Sequence, residues 1–238
     1  MARQAVIRKH RERQMNYFGS RLRDFILGWQ DGLVNVLGIT LGVAVATNEV
    51  RIVIIAAIAA AFAESVSMAA VAYTSFKAER EFYLSEVARE KDEIKTMPTA
   101  EKKEIYDIYY KFGFRGSLLQ KIVRRITSNK RRWLAVMMQQ ELKLYPQRVS
   151  PANIAAVVGI SAIVGSFIPI VPFFLLPIKS ALWAALIIST AVLFFVGAYK
   201  AKTTVGNPWK SGAEMAAIGM LAALIGYGIG AILGIAIV

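Results

Sequence analysis

Five stretches of this chain, roughly 25–46, 52–75, 152–176, 181–199 and 213–237, are apolar over the length of a membrane crossing. About 20 such residues span the hydrocarbon core as a helix. This feature constrains the fold before any other. Inside hydrocarbon no water is available to the backbone, so each segment must satisfy its own N–H and C=O groups, which a helix does. No β signal appears between them. The chain is therefore predicted to be an all-α membrane protein: five transmembrane helices, with a helical insert between the second and third. Apolar residues make up 56% of the 238, above the roughly 45–50% usual in soluble domains. Cysteine is absent, which excludes a disulfide framework, a thiolate metal site and a cysteine nucleophile. Residues 1–23 carry no apolar core of a signal peptide, so none is expected.

The formal charge of +13 raises nucleic acid as a partner, but its placement argues otherwise. Seven Lys/Arg lie in residues 1–24, seventeen in 76–150 and three in 200–212, whereas the alternate loops hold only Arg51 and Lys179. A bias of 27 against two places the first set on the cytoplasmic side. The N-terminus and insert are then cytoplasmic and the C-terminus opposite, and the charge serves topology and attraction to anionic lipid. The predicted organisation is a basic arm (1–24), two spans (25–75), a cytoplasmic helical domain (76–150) and three further spans (151–238).

Within the insert, "KAEREFYLSEVAREKDEI" (Lys77 to Ile94) lacks Gly and Pro and continues the second span without a breaker. "TMPT" interrupts it, with Thr99 as the expected N-cap of the next helix. Gly113 and Gly116 end that helix. A third is expected from about Ser117 to Pro146, with a break marked by Ser128. The expectation is a cytoplasmic three-helix domain. In the spans, Gly28/Gly32, Gly38/Gly42 and Gly226/Gly230/Gly234 recur at four-residue spacing, the pattern that lets helices approach closely. Pro169, Pro172 and Pro177 crowd the end of the third span.

Ionisable groups within spans are costly and point to function. Asp31, Glu64 and Glu214 are such groups, and Asp24 sits at the edge of the first span. Asp31 and Asn35, four apart, share a helix face, as do Glu64 and Met68. Only "TNEVR" joins the two spans, so they run antiparallel side by side, with Asp31 and Met68 at similar depth. A carboxylate, an amide and a thioether together suit a divalent transition metal, the soft sulfur favouring iron, copper or cobalt over calcium and magnesium. The plainer accounts are a Met used as filler and Asp31 paired with Arg21 or Arg23.

Glu79, Glu86, Glu90 and Glu93 fall on one stripe of the insert's first helix, and Met137 and Glu141 pair four apart on its third. A solvated acidic face balanced by Lys and Arg is the ordinary explanation for such a stripe. There is no Glu-x-x-His, and the one histidine, His10, lies in the basic arm. A di-iron carboxylate site with His ligands is not expected. No phosphate-binding loop, GxSxG or HExxH occurs, so neither an enzyme nor a resident cofactor is expected.

Five motifs, "GWQDGLVNVLGITLGVA", "AESVSMAAVAYTSFKAE", "WLAVMMQQELKL", "GSFIPIVPFF" and "GAEMAAIGMLAALIGYGIG", in this order from about residue 20 to 235, resemble the vacuolar iron transporter family. The resemblance implies a homodimer whose first two spans line the pathway, a cytoplasmic three-helix metal-binding domain, and export of Fe²⁺, often Mn²⁺, in exchange for protons. By the same resemblance Asp31 and Met68 are translocation residues, Asp24 an acid near the pathway mouth, and Glu79, Glu90, Glu93, Met137 and Glu141 ligands of the metal-binding domain. Phe82 stands where the family often has a further Glu, with Glu81 and Glu86 off that register. Ala60 stands where some members carry an acid.

The expected function is thus transport of Fe²⁺ out of the cytoplasm, with Mn²⁺, Zn²⁺ and Co²⁺ as further candidates. The partners expected are a divalent cation, protons, the bilayer and a second copy, with no nucleic acid. The alternatives are a Mn²⁺-preferring or broad divalent exporter, and a non-transporting membrane protein whose basic insert docks lipid or a partner. Plasma and vacuole-type membranes are not distinguished.

Overall fold

A computed structural model describes the backbone of residues 2–146, 149–203 and 206–237, and side chains of 22–146, 149–203 and 206–234. The side chains of the basic arm up to residue 21, His10 and Arg21 among them, lie outside the described residues. Every regular element among the described residues is a helix: α1 (Ala2–Thr47), α2 (Val50–Thr96), α3 (Pro98–Lys111), α4 (Gly116–Thr127), α5 (Lys130–Val136), a π-helical turn (Met137–Glu141), α6 (Pro151–Leu175), α7 (Ile178–Thr203) and α8 (Pro208–Ile237). Five stretches, Leu22–Thr47, Val50–Thr96, Pro151–Leu175, Ile178–Thr203 and Pro208–Gly234, are long and apolar enough to cross a membrane. The chain divides into two compact units, residues 1–73 with 152–238, and residues 74–151.

In the first unit α1 is the central helix, and its glycines explain why. A Cβ at Gly28 would stand 2.3 Å from the Val158 carbonyl oxygen, and one at Gly32 2.2 Å from that of Ala162, so α6 lies against this face. On another face a Cβ at Gly226 would stand 2.2 Å from the Gly38 oxygen, and one at Gly230 2.0 Å from that of Gly42, which seats α8. The four-residue glycine spacings are helix contacts made backbone to backbone. Elsewhere larger residues fill the space. Leu37, Leu41 and Ala44 of α1 pack with Val53, Phe173, Ala181, Ala185 and Ala223, and Val36 packs with Ala57, Ala61 and Ile170. Trp29 and Leu33 meet Leu193 and Met215. The outer surface is apolar too: Ile55, Phe62, Val66, Trp183, Ile187, Phe195, Leu224 and Ile232 are exposed, as lipid contact requires. Asn48 (φ 51°) makes the turn between α1 and α2, a conformation Asn tolerates better than most residues.

In the second unit two helix boundaries depart from expectation. α3 begins at Pro98 with Met97 as N-cap and no side-chain cap bond, not at Thr99. Proline's fixed φ and missing N–H suit the first helical position. The last helix ends at Glu141 rather than Pro146, and its final turn is π. Gly113 (φ 93°) and Gly116 (φ 56°) make the α3–α4 turn in the left-handed region. The break near Ser128 is real: Asn129 caps α5, its Oδ1 accepting from the Arg132 N–H at 3.0 Å. Ile94, Ile105, Ile126, Trp133 and Met137 form this unit's core.

Candidate metal sites

The first site lies in the membrane-spanning unit. Asp31 and Asn35 project from α1, one turn apart, toward Glu64 of α2. Small residues on α2, Ala57 and Ala61, are fully buried against Val36 and bring the two helices close enough for their polar groups to meet. The Asn35 amide donates to Glu64 Oε1, and the Asp31 carboxyl also reaches Glu64 through a side-chain hydrogen bond. Two carboxyl groups this close repel each other when ionised, and a cation between them offsets that charge. Asn35 is exposed and Asp31 and Glu64 are half-buried, so the group opens onto the surface of this single chain. The Asn35 end continues into a groove between α1 and α8 lined by Gly38, Gly42, Gly226 and Gly230.

Met68 sits one turn along α2 from Glu64 and is half-buried; it is not part of the hydrogen-bonded group. Asp24 is 5% exposed, and Arg23 donates to its Oδ1 from Nη2 at 3.2 Å and Nε at 3.3 Å. Arg23 thus pairs with its neighbour Asp24. Glu214 is exposed near the start of α8.

The second site lies in the 74–151 unit. Glu90, on α2, is 2% exposed and Glu101, on α3, is 4% exposed, unusual for carboxylates. The Oε2 atoms of both are buried without a hydrogen-bond partner. Burial, then the charges of Glu101 and Glu93, push the Glu90 carboxyl up to about 7. Burial, then Glu104 and Glu93, raise Glu101. Glu141 is exposed as a whole residue, yet burial of its carboxyl end, then the charge of Glu104, lift it to about 7, and Glu104 also bonds to it. Five carboxylates, Glu90, Glu93, Glu101, Glu104 and Glu141, therefore share one neighbourhood. Among the described residues no three His, Cys, Asp or Glu side chains already stand as a metal cage: these carboxylates act on one another without converging on one point.

The other candidates go elsewhere. Glu86 takes the Arg89 guanidinium at 2.5 Å, and Arg89 reaches Glu93 at 3.7 Å. Glu79 is exposed, in a hollow with Phe82, Tyr83 and Lys143. Met137 is fully buried among Ile94, Ile105, Ile126 and Trp133. Glu101 and Glu104 were missed by sequence reasoning. The signal was present, since Glu101 stands four before Ile105 and so shares the inward face of α3.

A profile of the VIT family matches residues 22–231 of the chain. Vacuolar iron transporter 2 of Oryza sativa subsp. japonica is 30% identical over 212 residues, covering 88% of this chain and 86% of that protein. Vacuolar iron transporter 1 of Arabidopsis thaliana is 30% identical over 227 residues, 94% of this chain and 90% of that one. A vacuolar iron transporter of Plasmodium falciparum is 30% identical over 237 residues, 94% and 86% of the two chains.

Proposed function

The chain belongs to the VIT family, and from that premise we propose that it is a multi-pass metal-ion transporter carrying Fe²⁺ out of the cytoplasm in exchange for protons. The observation that carries the reading is the polar group of Asp31, Asn35 and Glu64 held between two apolar helices. Nothing in packing alone calls for it, because uncompensated carboxyls cost folding energy in a bilayer.

Fe²⁺ enters from the insert, where buried carboxylates collect it, and passes to α1 and α2. There Asp31 and Glu64 replace part of its hydration shell, Asn35 holds Glu64 in place, and Met68, a turn along α2, adds a soft ligand that favours iron. The Asp24 carboxyl, at the mouth, is oriented by its ion pair with Arg23. Loss of the cation leaves two adjacent carboxyls that take up a proton, and this supplies the exchange. The exposed Asn35 side, with exposed Ile39 one turn along in the same groove, supports a homodimer in which a second copy closes the pathway. The Lys/Arg bias supports a cytoplasmic N-terminus and insert, with the C-terminus opposite. Mn²⁺ is a second cargo, favoured by the oxygen donors of Asp31, Asn35 and Glu64.

The test is anaerobic Fe²⁺ flux into proteoliposomes with and without a pH gradient, comparing the parent chain with Asp31→Ala and Met68→Ala. Undiminished flux in both variants sinks the assignment, and flux indifferent to the gradient removes the proton from it.

A further inference from the structure

We propose that the groove between α1, α7 and α8 is a binding site for one anionic phospholipid, whose phosphate rests on Lys179 and whose acyl chain fills the hollow beside it. The site is separate from both groups of carboxylates and concerns the bilayer, not the cargo.

The groove has a volume of about 370 Å³. Its walls are apolar: Leu41 and Val45 from the last two turns of α1, Leu182 and Leu186 from the first turns of α7, and Ala223 of α8. Lys179, Trp183 and Tyr227 complete the lining, and all three are exposed. The three helices are long and apolar enough to cross a membrane, so in a bilayer a hollow with such walls takes a lipid tail in preference to water.

The charge at one end selects the headgroup. Lys179 is the second residue of α7, where a span meets the interface, and a lysine there lays its stem on apolar surface and lifts its ammonium to headgroup level. Among the described residues it makes no ion pair. Only Arg51 accompanies it on the cation-poor side of the sequence, so its place at this groove is not part of the general basic bias. The indole of Trp183 and the phenol of Tyr227 are the side chains that favour the same depth. The groove between α1 and α8 that holds Asn35 has no cation in its lining and offers a phosphate no counter-charge. A choline headgroup brings its own ammonium to compete with Lys179 for the phosphate; a phosphatidylglycerol headgroup does not.

The experiment reads quenching of Trp183 fluorescence, taken as the parent signal minus that of Trp183→Phe, for the full chain in phosphatidylcholine nanodiscs. Phosphatidylglycerol or phosphatidylcholine carrying a nitroxide on the acyl chain is added at equal mole fraction. The anionic lipid is expected to quench at a roughly fivefold lower mole fraction. Lys179→Gln should bring the two lipids level, while Lys179→Arg and the control Arg51→Gln keep the preference. Val45→Phe, which adds bulk to the groove wall, should reduce quenching by both lipids. Equal quenching in the parent, or a preference for the choline lipid through cation–π contact with the two rings, overturns the proposal. So does a preference for the anionic lipid that survives Lys179→Gln, which would place its site elsewhere.

Discussion

The Glu90 carboxyl makes the second unit pay for its own chemistry, and Glu90→Gln measures how much. Its folded value is about 7 against an ordinary 4.5. Between those values the folded chain holds a proton that the unfolded chain has released, so stability falls as pH rises from about 4.5 to about 7. Below that window both states are protonated and no penalty exists; above it both are ionised and the penalty is full. At 1.36 kcal/mol per unit the displacement corresponds to about 3 kcal/mol, an upper figure because Glu93, Glu101 and Glu104 share the cause. A neutral amide at 90 removes the charge and offers a donor to the unpartnered Glu101 oxygen. The expected result is that Glu90→Gln slows hydrogen exchange of the α3 amides in chelator-treated protein at pH 8 by up to about two orders of magnitude after intrinsic-rate correction, with little change at pH 4.5. Equal effects at both pH values, or faster exchange at pH 8, would refute the argument that buried like charges destabilise this unit.

Other expectations concern separate parts of the chain. A Cβ at Gly165 would lie 2.0 Å from the Trp29 carbonyl oxygen, so Gly165→Ala forces α1 and α6 apart. It should cost roughly 1–3 kcal/mol or more, seen as a lowered melting temperature in detergent; a melting temperature equal to the parent's contradicts that packing. Asn129→Ala removes the α5 cap and should cost about 1 kcal/mol, read as faster exchange of the Lys130–Val136 amides, and no change there means the cap is idle. Asn35→Ala frees Glu64 from its amide partner and should lower Fe²⁺ flux in proteoliposomes without unfolding the chain, whereas parent-level flux removes Asn35 from the pathway.

Much of the polar group in the first unit is legible in the chain because its parts are local. Asp31 and Asn35 are one turn apart, and "TNEVR" leaves α1 and α2 no choice but to lie side by side. Asp24 shows the limit: its position at the edge of a span is readable, its pairing with Arg23 rather than an opening to solvent is not. The acidic stripe of the insert was harder. Glu79, Glu86, Glu90 and Glu93 look alike in sequence, yet Glu86 is taken by Arg89 and Glu79 lies beside Lys143.

Sequence alone determined the five apolar spans, their helicity, and the anomaly of carboxylates within them. Apolar run length against hydrocarbon thickness, and backbone hydrogen bonding without water, are properties of each segment by itself. Only the tertiary structure decided which acids meet. Glu90, Glu101 and Glu141 lie on three elements, the last of them some forty residues beyond the others. Their meeting depends on where Pro98 restarts the helix after Thr96, and on a π turn at Met137–Glu141 that shifts the helical phase and sets Met137 in the core. Those are sums of several small turns, and no local pattern records the result.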